Sequence, residues 1–267
     1  SLVNQANNNV DKTIIGIMLS MESVSVYSVA QYLYTAFSSF TTVPISMYMP
    51  QVSKDLAKGL KGKELTETLV QPCRLVVMIG GMIVCGFFAV GKQFISLVYG
   101  STKIEAWGYA LIIMAPMFVN MTNGVINNIL DITNKRMVRS VALLLTTVLN
   151  IILTVIFISR MGIIGAVTAT AISTVLGQII IMNVYYQKKL GLSILYLFKE
   201  AYKGLLIFMV PAAVLCYFVA KSISNEIVSL LVCGVLFVLL SGVGIIAFGL
   251  NSYEKQLINK VIRKIKG

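Results

Sequence analysis

Charged residues are absent from long stretches of this chain, and that absence limits its fold more than any other feature. Residues 75–90, 141–158 and 227–250 contain no Asp, Glu, Lys or Arg. A helix crosses the hydrocarbon core of a bilayer in about 20 apolar residues. Backbone N–H and C=O groups find no water there, so only helices or closed barrels can cross. These runs lack the alternation of barrel strands. The chain therefore reads as all-α, a polytopic transmembrane helical bundle. Its composition agrees: 12% of residues are charged, against about 25% in soluble domains, and mean hydropathy is +0.87.

About eight spans are expected, near residues 1–20, 26–50, 72–95, 105–130, 138–159, 163–186, 200–221 and 226–250. The basic residues test this map. Lys54, Lys58, Lys61, Lys63 and Arg74 follow span two, and Lys135, Arg136 and Arg139 follow span four. Lys188, Lys189, Lys199 and Lys203 follow span six. Lys255, Lys260, Arg263, Lys264 and Lys266 fall in the tail. The opposite side carries Lys92, Lys103, Arg160 and Lys221. The positive-inside bias assigns the even gaps and the C-terminus of this multi-pass chain to the cytoplasm.

A net charge of +12 suggests nucleic acid at first sight. No basic, aromatic-interleaved domain stands outside the spans, so the excess reads as loop charge beside anionic membrane lipids, with no nucleic-acid partner. Cys73, Cys85, Cys216 and Cys233 show no CxxC or metal spacing and read as reduced packing residues. There is no histidine, which removes the commonest general base and metal ligand. No GxxxxGK[ST], GxSxG or HExxH pattern occurs. No catalytic residue, metal or cofactor is expected, and the chain does not read as an enzyme. Without a nucleotide loop, transport would draw on an ion gradient, the membrane potential or substrate flux. The chain opens on Ser-Leu-Val with no signal peptide, and an N-terminal portion is expected to precede it.

Asp11 and Lys12 lie inside span one, where ionisable residues are costly and face a cavity or a partner. Adjacent helical residues point about 100° apart, so the two cannot simply neutralise each other. Each lines an aqueous cavity, with Lys12 open to an anionic ligand, or else snorkels or pairs elsewhere. The polar start, with Asn8 inside Asn4-Gln-Ala-Asn-Asn-Asn9, lines an aqueous path or packs by side-chain hydrogen bonds. Asn120, Asn123 and Asn127 share one face of span four at i, i+3 and i+7. They could bind sugar hydroxyls or ions, or serve as adhesion between helices. Arg74, one turn after Pro72, either reaches a phosphate bidentately or anchors the span at the surface. Gln31, Asn150, Gln178 and Asn183 read as structural ties. Gly162, Gly165, Ala166 and Ala169 form a small-residue face for close helix contact.

Several segments resemble one family. Asn9-Val-Asp11-Lys12-Thr-Ile-Ile-Gly16, followed by Val24-Ser-Val-Tyr27-Ser-Val-Ala30, resembles the start of the second half of bacterial polysaccharide exporters. These are the oligosaccharide flippases of the O-antigen and capsule type, within the multidrug/oligosaccharidyl-lipid/polysaccharide superfamily. Ser25 stands where that pattern has glycine. Pro50 before a Lys-rich stretch, Phe94-Ile-Ser-Leu-Val-Tyr-Gly100 and the glycine-led 162–171 segment are similar to the family as well.

The resemblance implies the C-terminal lobe of a two-lobed, MATE-like transporter plus two extra helices. Residues 1–187 would be the six-helix lobe, 188–250 the added transmembrane pair and 251–267 a basic cytoplasmic tail. The N-terminal lobe of the same protein would be the missing partner. The implied substrate is an undecaprenyl-diphosphate-linked oligosaccharide moved across the inner membrane for surface polysaccharide (O-antigen, lipopolysaccharide) biosynthesis by alternating access. Asp11 and Lys12 match the family's charged seventh-helix pair, and a coupling ion is left open. The rival readings are a cation-coupled multidrug exporter and, behind it, a membrane glycan ligase or acyltransferase.

Overall fold

Helices form where the apolar runs lie, and their ends carry ordinary punctuation. A computed structural model describes residues 2–251, 254 and 255; the side chains of 2–9, 43 and 44 lie outside that description, as do most of the basic tail and Pro44. Helix α1 (Leu2–Met18) leads to α2 (Met21–Met47), whose first turn is capped by Ser20 accepting from the Ser23 N–H. Helix α3 (Met49–Ala57) has Pro50 in its first turn. Helix α4 (Gly62–Tyr99) has 38 residues and runs through Pro72, so it is about 57 Å long and outreaches the bilayer core. Helices α5 (Ala106–Ile132) and α6 (Arg136–Met161) follow.

The chain then reverses at Gly162, φ +59°, into α7 (Ile163–Thr174). A π-helical turn, Val175–Ile181, joins α7 to α8 (Met182–Leu190), which stops at left-handed Gly191. Helices α9 (Ile194–Tyr202) and α10 (Leu206–Ser222) are bent by 51° at their junction. Asn225 caps α11 (Glu226–Gly244), which ends in a second π-turn, Ile245–Gly249. The described residues contain no strand.

Five helical segments are long and apolar enough to cross a membrane: Gly62–Tyr99, Ala106–Ile132, Arg136–Met161, Ile163–Leu190 and Glu226–Gly249. The bent α9–α10 pair makes a sixth if taken as one span. Helices α1, with 17 residues, and α2 lie at the other two expected spans and are not among the segments of that length and apolarity. Asn and Gln crowd α1, and Ser and Thr recur along α2.

Helix α4 is the hub: α2, α5, α9, α10 and α11 all pack on it. Its buried Leu69, Cys73, Val76 and Val77 share a core with Val125, Ile126 and Ile129 of α5 and Leu197 and Ala201 of α9. A separate cluster joins Ala89 of α4 to Cys216 of α10 and Cys233 and Phe237 of α11. At the same end, Lys92 lies 4.5 Å from the Trp107 ring centre, and Trp107 stacks on Tyr217 of α10. Helix α6 packs on α7 and its π-turn. Of the expected small-residue face, Ala166 and Ala169 are buried and a Cβ on Gly165 would meet the Phe157 carbonyl, while Gly162 has open space beside it; further on, a Cβ on Gly177 would meet Thr146.

Arg74 binds the C-terminal helices to this hub. Its Nε donates to Glu254 Oε1 at 3.0 Å. One terminal nitrogen donates to the carbonyls of Glu200 and Lys203, each at 2.9 Å. The other donates to the Gly249 carbonyl at 2.8 Å and to Glu254 Oε2 at 3.3 Å. These contacts employ all five guanidinium donors. Gln71 Nε2 donates to Glu254 as well, and Asn251 Nδ2 donates to Gln71. Burial raises the Glu254 carboxyl, but hydrogen bonds from Arg74 and the Asn251 N–H outweigh it and hold the group below its ordinary value.

Two outcomes follow from this packing. Gly177→Ala should cost about 1–3 kcal/mol through overpacking and lower the thermal midpoint. Adding Thr146→Gly should recover much of that loss, and a neutral single variant would contradict the contact. Arg74→Met should cost about 3–5 kcal/mol by stranding a half-buried carboxylate and three carbonyls, read as faster proteolysis near residue 250. A carboxylate with a depressed folded value stabilises above its unfolded value and loses that contribution as pH falls through the folded one. Acidification from pH 7 to pH 5 should therefore leave proteolysis slow, with release below the ordinary carboxylate range.

Candidate functional site

The two adjacent ionisable residues of α1 part company. Asp11 turns into the bundle and is 1% exposed. Tyr27 of α2 donates to its Oδ2 at 3.0 Å, and Asn150 Nδ2 of α6 lies 3.1 Å from both carboxylate oxygens. Asn150 Oδ1 in turn accepts from Thr154 at 3.3 Å and from Thr170 of α7 at 3.5 Å. One carboxylate thus ties four helices together. No cation pairs with it among the described residues. Asp11, expected among the substrate-binding groups, is buried between the helices, away from the exposed face.

Lys12 points the other way. It is half-buried, and its Nζ sits 5.2 Å from the ring centre of Tyr32, which is 59% exposed. Among the described residues no acid pairs with it. The ammonium therefore lies along the outer face of α2, held by the ring's negative π-surface.

That face has a pattern that reading span by span overlooked. Ser25, Ser28, Tyr32, Thr35, Ser39, Thr42 and Ser46 are spaced alternately by three and four residues, which lines them along one side of a helix. Ser28 is half-buried and the others are exposed. Thr35, Ser39 and Thr42 donate to the carbonyls of Gln31, Thr35 and Ser38 at 2.8, 2.9 and 2.8 Å. Their protons are spent on their own helix, so their oxygens face outward as acceptors. Phe40 and Met47 flank the stripe. The outward faces of α6 and α11 are different in kind: Leu144, Val148, Ile152 and Val155, and Leu231, Val235 and Val238, offer only aliphatic surface.

The remaining predicted residues lie elsewhere. Asn120 Nδ2 donates to Gln178 Oε1 at 2.9 Å, and Asn123 Nδ2 to the Gln178 carbonyl at 3.1 Å. Tyr186 donates to Asn127 Oδ1 at 2.6 Å. The Asn face of α5 is thus adhesion to the π-turn and α8, the second of its two sequence readings, and it is not brought to the α1–α2 face. Arg74 is not brought to that face either, and its donors lie in the C-terminal clasp. The Asn8 side chain lies outside the described residues. Among the described residues no group of three or more His, Cys, Asp or Glu could hold a metal.

Comparison with known proteins agrees with this architecture. Residues 1–108 match a family described as polysaccharide biosynthesis protein. Over 166 residues the chain is 30% identical to a probable low-salt glycan biosynthesis flippase, Agl15, of Haloferax volcanii, covering 61% of this chain and 34% of that protein. The fold is similar to lipid II flippase MurJ in an inward closed conformation, with TM-score 0.64 and 17% identity over 91% of this chain and 51% of that one. The chain therefore spans about a third of the curated relative and half of the solved structure. These are similarities of part of the chain to a polysaccharide biosynthesis family and to a glycan biosynthesis flippase, and of its fold to a lipid II flippase.

Proposed function

We propose that the chain is the C-terminal part of a membrane flippase that carries a lipid-linked oligosaccharide across the membrane by alternating access. The carrying observation is the exposed face shared by α1 and α2. It presents a line of hydroxyl acceptors and one unpaired ammonium, where the other outward helices present aliphatic groups to lipid. A polar face at membrane depth calls for a wet cavity or a partner lobe. In this reading residues 1–187 form the lobe, 188–250 an added pair held by Arg74, and a preceding lobe closes the cavity. The multi-pass chain sits in the inner membrane with its C-terminus in the cytoplasm.

The division of chemistry follows from the donors. Sugar hydroxyls donate to the outward oxygens of Thr35, Ser39 and Thr42. The Lys12 ammonium meets the phosphate-bearing carrier, undecaprenyl diphosphate, in a low-dielectric setting where one charge counts for more. The tail stays in the bilayer. Asp11 and its shell of Tyr27, Asn150 and Thr170 take up a proton or monovalent cation, which links the closing of α1, α2, α6 and α7 to a gradient. The fold relative and the named glycan flippase support this over catalysis, and no general base faces the site.

Lys12→Ala should lower surface-glycan export at least about tenfold while membrane insertion stays normal. Unaltered export by an inserted Lys12→Ala protein would remove the mechanism. Asp11→Asn keeps a hydrogen-bonding side chain of the same size but no charge. It should cut export and flatten its dependence on external pH or cation, measured in vesicles. Restored drug sensitivity with intact glycan in either variant would instead favour the multidrug exporter.

A further inference from the structure

An apolar groove of about 380 Å³ opens between α6 and α8, away from the α1–α2 face. Val138, Val141 and Leu145 form one wall; Ile181, Met182 and Tyr185 form the other. Its origin is the packing already described. Gly165 and Gly177 draw α7 and the π-turn onto α6, and α6 meets these rather than α8. Past the π-turn the hairpin splays and leaves a wedge.

The wide end of the wedge is basic. Because α6 and α8 run antiparallel, Lys135, Arg136 and Arg139 lie at the same end as Lys188 and Lys189. All five are exposed. Arg136 pairs with Asp131 at 2.9 Å; none of the other four pairs with an acid among the described residues. The field of Arg139 reaches Tyr186, beside the wall residue Tyr185. Cationic side chains thus stand at the open end of a slot lined by aliphatic, Met and Tyr side chains.

We infer that this groove holds an anionic phospholipid, with its phosphate between Arg139 and Lys188–Lys189 and one acyl chain along Val141, Leu145 and Ile181. The charge of the rim selects the headgroup, and the apolar slot selects a chain over a soluble phosphate. The lipid fills the wedge and props the α6–α8 end of the hairpin.

The test uses the full-length protein in detergent micelles, with bound lipid counted by native mass spectrometry. The probes are phosphatidylglycerol and phosphatidylcholine of identical chains. Wild type should retain phosphatidylglycerol about tenfold better than phosphatidylcholine. Replacing Arg139, Lys188 and Lys189 by Gln should erase that preference. Val141→Trp, at an exposed wall position, should lower retention of both lipids by filling the slot. Equal retention of the two lipids by wild type, or retention indifferent to both variants, overturns the inference. So does displacement of phosphatidylglycerol by undecaprenyl phosphate at lower concentration than by phosphatidylglycerol itself, which would give the groove to a polyisoprenoid tail.

Discussion

At membrane depth a polar group has no solvent to fall back on, and that single constraint accounts for where this chain puts its Asp, Asn, Gln and Arg residues. Several buried ones become bonds between helices, while Asp55 accepts from Gln51 of its own helix. Asp11 joins α1 to α2, and to α6 through Asn150, which accepts in turn from α7. Asn123 and Asn127 join α5 to the π-turn and α8. Asn128 Nδ2 donates to the Ile45 carbonyl of α2. Arg74 gathers the ends of α9 and α11 onto α4. Aliphatic contact between helices gains little in lipid, because lipid tails are equally apolar. Polar ties and close glycine contacts therefore specify which helix meets which.

The same constraint makes the exceptions informative. Lys12 is outward and lies over the Tyr32 ring of α2, and Thr35, Ser39 and Thr42 of the hydroxyl line donate within their own helix. Asp11, one residue earlier, costs its burial several kcal/mol as a lone charge, which the donors on Tyr27 and Asn150 offset. A carboxylate so placed is a poised group: gaining a proton or cation relieves it, and any motion of α6 or α7 that withdraws Asn150 or Thr170 increases the strain. In the proposed function the α1–α2 face takes the substrate and Asp11 the coupling ion, on opposite sides of one short helix, so that α1 would exchange energy between the two without a relay.

Much of this was legible in the sequence, and the shortfalls have physical causes. The uncharged runs gave the helices from α4 onward because period and length suffice to mark a span. Adjacent placement on α1 already separated Asp11 from Lys12 by about 100°. What one helix cannot reveal is which way it is rotated. The Asn face of α5 had two readings until Gln178 and Tyr186 stood opposite it. Arg74 looked like a phosphate ligand because its saturating acceptors lie at Glu200, Lys203, Gly249 and Glu254, remote in sequence. The α2 stripe was visible as an alternating three–four spacing of hydroxyls, but it was hidden inside a run otherwise read for apolarity. Counting α1 and α2 as ordinary spans followed from the same habit, since their polarity argues that part of their surface never meets lipid.

The π-turn at 175–181 shows how one local irregularity serves several ends. A π-turn widens the helix and leaves a carbonyl off its usual partner; here the Gln178 carbonyl accepts from Asn123. At the same level Gly177 lets Thr146 approach closely, which pins α6 to the turn. With the two helices pinned there, the extra residue redirects α8, and the hairpin opens beyond it into the groove lined by Val141 and Ile181. An uninterrupted α-helix through 163–190 would carry Gln178 round the axis, away from Asn120 and Asn123, and would close the wedge. The adhesion of α5 and the lipid-facing groove are thus alternatives to a straight helix, and both rest on a glycine small enough to sit against Thr146.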